Sequence, residues 1–178
     1  MVSVGGAETR KAIGESGPKP GPMIVPRMLL PEMNLVSTAT GAVVNLRAGR
    51  GPQALVAMHS VACGACQRYV REHLAAGAQR IADWGGRLSV VVPGRLGNAA
   101  DFAETTTDAL QVLVDAEETF ASGGAMVVIT DQWGEVYFVA AAGAGHDLPT
   151  REEVVAWVHF LAIQCPECEG PEGEWKAV

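Results

Sequence analysis

The order of apolar runs predicts an α/β fold, a mixed β-sheet with helices on its faces. Three observations carry this. Residues 54–59 (ALVAMH) are a compact apolar run that reads as a buried strand, and they lead into Cys63-Gly-Ala-Cys66 and a stretch of helical periodicity. A second run, 87–92 (RLSVVV), follows that helix, and a strand-helix-strand crossover within one sheet requires parallel pairing. Residues 126–130 and 135–140 flank Asp131-Gln-Trp-Gly134, a hairpin signature that adds antiparallel strands.

The remaining elements fit this frame. Short apolar stretches at 33–36 and 42–46 surround residues 38–41 and read as a small opening hairpin. Val70, Leu74, Gly77, Ile81 and Trp84 recur at helical spacing, which predicts a helix over 63–84 that Gly85-Gly86 stops. Pro93-Gly94 ends the second strand, a short helix is expected over 100–105, and 111–114 is the third strand. Asp115-Ala-Glu-Glu118 has capping-box spacing and predicts a turn of helix. Thr150-Arg-Glu-Glu153 is a second capping box, and Val154, Trp157, Val158 and Leu161 give the closing helix its apolar face.

The 178 residues suffice for one domain with a modest extension. With 48% apolar and 19% charged residues the composition is globular, and no run reaches the roughly 18 apolar residues of a membrane span. A net charge of −7 argues against nucleic acid as a partner, because phosphate affinity needs clustered Lys and Arg. The first 22 residues are rich in Gly and Pro and bury too little apolar surface to offset their ordering entropy. The organisation expected is a flexible extension over 1–25, a core domain over 26–164, and a tail over 165–178. The extension is a candidate docking segment for a larger assembly. The N-terminus has no basic patch leading into an apolar run, so a cytoplasmic location is expected.

The four cysteines form two CxxC pairs, Cys63/Cys66 and Cys165/Cys168. Without an export signal, that pattern points to thiol redox chemistry or metal binding more than to a disulfide framework. A strand that ends in CxxC at the mouth of a helix has a chemical rationale. The unpaired amides and macrodipole of a helix N-terminus stabilise a thiolate and lower its pKa. Cys63 is therefore the candidate nucleophile, and Cys66, one turn on, the candidate resolving thiol. The alternatives at these positions are two small apolar residues or half of a zinc site. His59 stands four residues before Cys63, where an imidazolium would lower the thiol pKa further; the competing reading is a hydrogen-bonded histidine at a strand end. His73 and His159 receive no role in the dithiol chemistry. No phosphate-binding glycine loop or nucleotide fingerprint is present, so no organic cofactor is required.

Over residues 26–163 the chain resembles the redoxin branch of the thioredoxin-like superfamily. Pro31-Glu-Met-Asn-Leu35, Gly41-Ala-Val-Val-Asn-Leu46 with Arg50-Gly51, Val112-Leu-Val-Asp115 and the segment from Val128 to Val136 match that branch in order. The stretches Gly145-His-Asp-Leu-Pro149 and Gln164-Cys-Pro-Glu-Cys168 are similar to those of a group of bacterial redoxin-domain proteins. The resemblance implies a thioredoxin-like mixed β-sheet flanked by helices. It also implies thiol-disulfide oxidoreductase activity toward a protein disulfide, protein thiol or electron donor. Three thioredoxin features are replaced here: the cis-proline before the hairpin by Ala125, the buried acid six residues before the first Cys by Ala57, and the preceding Trp by Ala62. Of the peroxiredoxin pattern, Ser60 matches the hydroxyl, while Val56 stands for the Pro and Ala125 for the Arg. A thiol peroxidase is the second enzymatic reading, and a non-enzymatic accessory subunit the reading from a different class.

The second pair, Cys165-Pro-Glu-Cys168, follows the closing helix, which the resemblance implies starts near the dithiol edge and runs away from it, ending on the order of 20 Å off. A tetrathiolate site joining both pairs in one chain is therefore disfavoured. Three readings stay open for Cys165 and Cys168. They are a structural disulfide or inert thiols, a zinc site completed by His159 or a second chain, and a redox relay exchanging with another chain's Cys63. Trp175 is expected to fold the tail back or to contact a partner.

Overall fold

The structure is a computed structural model and describes residues 23–47, 50–118, 120, 124–143 and 146–164. The strands are β1 (Leu35–Ser37), β2 (Val43–Val44), β3 (Gln53–Ala57), β4 (Arg87–Pro93), β5 (Gln111–Asp115), β6 (Met126–Thr130) and β7 (Val136–Ala141). They form one sheet in the order β2-β1-β5-β4-β3-β6-β7. The crossovers place β3 parallel to β4 and β4 parallel to β5. On the other side β6 is antiparallel to both β3 and β7. The mixed sheet expected from the sequence is thus present.

β3 occupies the centre, and every one of its residues is buried. Its alternation assigns two cores. Ala54 and Val56 join the larger core, into which Cys66, Val70, Leu74, Ile81, Phe102, Val154 and Val158 pack from the helices. Leu55 and Ala57 join the smaller one, which Ile24, Leu30, Leu35, Leu46 and Phe120 cover. The described helices therefore lie against one face, while the N-terminal segment and the opening hairpin cover the other. That segment is tied down by main-chain bonds: Arg27 and Leu30 donate to the carbonyls of Val136 and Gly134.

The helix predicted over 63–84 runs as α1 (Gly64–Arg68), a π-helical stretch (Tyr69–Leu74) and α2 (Ala75–Asp83). Gly85, at φ +74°, ends it. α3 (Leu96–Ala103) starts four residues before the sequence expectation. At the hairpin turn Gly134 has φ +85°, and the Asp131 carboxylate accepts from the amides of Trp133 and Glu135 at 2.9 Å.

The predicted helical turn at Asp115 does not form among the described residues. Glu118 lies in the left-handed region at φ +54°, and the Asp115 carboxylate accepts from the amide of Phe120 instead of capping a helix. The same spacing at Thr150 does cap α4 (Arg151–Ala162), with Thr150 Oγ1 accepting from the Glu153 amide at 3.2 Å.

Of two close approaches at glycines, the one at Gly77 is tight and the one at Gly51 excludes a side chain. A Cβ on Gly77 would sit 3.1 Å from the Val155 side chain, where α2 meets α4. A Cβ on Gly51 would sit 2.3 Å from the carbonyl oxygen of Gly85. α4 begins beside the CxxC helix, since the Tyr69 hydroxyl donates to the Pro149 carbonyl at 2.7 Å. It ends at the opposite end of the central strands, where Leu161 and Gln164 line a cleft with Arg50, Pro52, Trp84 and Trp133. Among the described residues no helix is long and apolar enough to cross a membrane.

Candidate active site

The dithiol sits where a central strand hands over to a helix. β3 ends at Ala57, Met58 still donates to the Val91 carbonyl at 2.9 Å, and the chain then turns over residues 59–62. Ser60 builds that turn, because its side-chain oxygen accepts from the Ala62 amide and its carbonyl accepts from the Cys63 amide. Gln67 braces the turn from the first helical turn by donating to the Val61 carbonyl at 2.7 Å. The hydroxyl that the sequence aligned with a peroxide-binding position is thus engaged in shaping the loop.

Cys63 occupies the N-cap of α1 with extended backbone (φ −72°, ψ 109°). No side-chain bond closes that cap, yet the amide of Cys66, joined by that of Ala65, holds the Cys63 thiol below its ordinary value. The Cys66 thiol and the positive charge of Arg68 act in the same direction, against the opposing effect of burial. Cys66 is 2% exposed, and burial pushes its thiol up to about 11, reinforced by the bond and charge of Cys63. Both cysteines are free thiols. One geometry therefore favours a thiolate at the more accessible sulfur and a neutral thiol at the buried one.

Two histidines complete the cluster. His59 Nδ1 lies 3.4 Å from Cys66 Sγ, and His146 Nε2 lies 3.6 Å from Cys63 Sγ. The sequence reading set His59 beside Cys63; its direct sulfur contact is with Cys66. The two imidazoles face each other with ring centroids 5.1 Å apart. One ligand atom from each of His59, Cys63, Cys66 and His146 lies within 4.8 Å of all the others, so the group can hold a metal ion. His146 had no role in the sequence reading. It belongs to the segment before Thr150, which the Tyr69–Pro149 bond fastens to the CxxC helix.

The other expected positions sort as follows. Ala125 precedes β6, is buried in the same core that Cys63 packs against, and accepts from the Ala142 amide at 2.7 Å. Ala57 is buried in the opposite core, so no carboxylate replaces the missing acid from that position. His159 lies against Trp84 with ring centroids 4.3 Å apart, and His73 lies near Tyr69. Cys165, Cys168, Trp175 and residues 1–22 lie outside the described residues.

Fold and site together define a thioredoxin-like α/β domain with a free CxxC dithiol at a helix N-terminus. No protein-family model matches the chain, and no curated protein matches it in sequence. Solved structures do match. A peroxiredoxin-like protein from Aquifex aeolicus aligns over 79% of this chain and 90% of its own, with TM-score 0.61 and 20% identity. A thiol peroxidase from Chromobacterium violaceum aligns over 79% and 90%, with TM-score 0.58 and 15% identity. The thioredoxin domain of a thiol-disulfide oxidoreductase from Bacteroides vulgatus aligns over 76% and 99%, with TM-score 0.59 and 14% identity. At these identities the likeness establishes the thioredoxin-like fold.

Proposed function

We propose that the chain is a thiol-disulfide oxidoreductase acting in the cytoplasm on protein disulfides or thiols through Cys63 and Cys66. The observation that carries this reading is the opposed bias of the two thiols, Cys63 lowered by helix amides and Cys66 raised by burial. The Cys63 thiolate attacks a substrate disulfide, forming a mixed disulfide and expelling one substrate thiolate. Cys66 then attacks the Cys63 sulfur, closing the Cys63–Cys66 disulfide and releasing the second substrate thiolate. Two electrons pass from the dithiol to the substrate.

The second step needs Cys66 to lose a proton from a buried sulfur. His59 Nδ1, 3.4 Å away, is the group placed to receive it. His59 thereby takes over the task of the buried acid that Ala57 lacks. No organic cofactor is required for this exchange.

The test is a gel-shift titration of the full chain in glutathione buffers, with Cys66→Ser used to trap the mixed disulfide. A reversible two-electron couple lost in Cys63→Ser is the expected result. Absence of any such couple ends the reading. Peroxide consumption in the same assay would favour the peroxidase reading, which Ser60 matches and against which Val56 and Ala125 weigh. Retained physiological function in the doubly substituted Cys63→Ser/Cys66→Ser chain would favour the accessory-subunit reading.

A further inference from the structure

The geometry points to a second occupant of this site: one zinc ion per reduced chain, held by His59, Cys63, Cys66 and His146. Tetrahedral zinc with metal–sulfur bonds near 2.3 Å and metal–nitrogen bonds near 2.05 Å has sulfur–nitrogen edges of about 3.6 Å. The two sulfur–nitrogen contacts here measure 3.6 Å and 3.4 Å. All four ligand atoms fall within 4.8 Å of one another, so closing onto an ion needs only small side-chain adjustments. Two thiolates with two imidazoles are a donor set suited to zinc, and harder ions such as magnesium or calcium are poorly served by it.

The ligands come from two parts of the chain. Cys63 and Cys66 come from the start of α1 and His59 from the loop before it. His146 lies 83 residues beyond Cys63 in sequence. His59 is exposed and offers an entry side, while Cys66 closes the site from the core. This site is distinct from the Cys165/Cys168 pair, which the sequence alone made a zinc candidate.

Zinc takes both cysteines as thiolates, so binding displaces whatever thiol protons they still carry. A disulfide between Cys63 and Cys66 uses the same two sulfurs, so ion and disulfide exclude each other. A partner disulfide that oxidises the zinc-bound dithiol takes up two electrons and two protons from solvent and leaves as two thiols, and the ion is released. This exclusion rests on the oxidoreductase reading; the binding site itself does not.

The experiment uses the full chain, reduced and stripped of metal, titrated with Zn²⁺ against a chromophoric chelator and separately with Co²⁺. Expected are a zinc site abolished by Cys63→Ser/Cys66→Ser and a tetrahedral cobalt spectrum with thiolate charge transfer. Both features persist in Cys165→Ser/Cys168→Ser. His59→Ala and His146→Asn should each weaken zinc by more than about tenfold, the scale already reached by loss of outer-shell partners. Asn tolerates the left-handed backbone that His146 adopts at φ +57°, so that variant removes the imidazole without straining the loop. Unchanged affinity in both histidine variants, or loss of the cobalt spectrum in Cys165→Ser/Cys168→Ser, overturns the inference. A glutathione titration of the metal-free chain separates the two ideas. A reversible couple without zinc binding removes only the metal site, and zinc binding without a couple removes only the oxidoreductase reading.

Discussion

The Tyr69 hydroxyl donates to the Pro149 carbonyl at 2.7 Å, joining the dithiol helix to the segment that delivers His146. Tyr69 is the first residue of the π-helical stretch. A π-turn inserts an extra residue into the helix and re-aims the side chains around it. The result is a clamp between two parts of the chain that share no local sequence.

Tyr69→Phe should cost about 1 kcal/mol of stability, the usual net worth of one hydrogen bond. The specific consequence is at His146. Amide exchange in the 146–154 segment should accelerate in Tyr69→Phe while β3 stays protected. Equal exchange in both proteins would remove the clamp from the account.

Alkylation should separate the two thiols. In metal-free, reduced protein, Cys63 should react with iodoacetamide at pH values below the ordinary thiol range of about 8.5, since its thiolate is stabilised. Cys66 should stay unlabelled until strongly alkaline pH, because burial raises its thiol to about 11. Peptide mass spectrometry across a pH series reads both. Equal labelling of the two cysteines at neutral pH contradicts the assignment of nucleophile and resolving thiol.

Stability should decline on the alkaline side. Cys66 holds its proton to about 11 when folded but only to about 8.5 when unfolded. Between those values the native state binds more protons than the unfolded chain, so unfolding free energy falls as pH rises. Cys63 acts oppositely, adding stability as pH climbs from its lowered folded value toward about 8.5. Urea midpoints of the reduced protein should therefore fall from about pH 8.5 to 11, and Cys66→Ala should flatten that decline. An identical pH dependence in Cys66→Ala would refute it.

Gly51→Ala should destabilise the fold while sparing the site. Its Cβ would meet the Gly85 carbonyl oxygen at 2.3 Å, a backbone contact that cannot swing aside. A loss of about 1–3 kcal/mol is the usual scale for overpacking. The position lies just before β3, at the opposite end of that strand from the dithiol, so the Cys63 alkylation profile should match wild type. A stable Gly51→Ala protein would show that this contact relaxes freely.

Much of the architecture was legible because periodicity and turn chemistry agreed. Residues 54–57, 87–92, 111–114 and 126–130 all became strands, and Thr150 capped the closing helix. Asp115 failed where Thr150 succeeded because the left-handed backbone at Glu118 diverts the chain, which side-chain spacing cannot reveal. Cys63 and Cys66 were readable from their place after a strand. His146 was not, since its proximity to Cys63 depends on topology. A signal did exist: the closing helix was expected to start at the dithiol edge, and His146 stands four residues before its cap. His59 is legible from its place at the strand end, but only the turn built by Ser60 determines that it serves Cys66.

The sheet order has a further bearing on the cluster. β3 is hydrogen-bonded on both sides and buried throughout, so the scaffold under Cys63 and Cys66 opens only when the domain as a whole unfolds. His146 stands on the segment leading into α4, in which the Tyr69–Pro149 bond is a local tie. Half of the four-residue group thus rests on the buried centre of the fold, and one member rests on a peripheral segment held by the Tyr69–Pro149 bond, the bond from the His146 amide to Gly143 and the packing of Leu148. Local opening of such a site should therefore begin at the His146 corner, ahead of any loss of the strand beneath the dithiol.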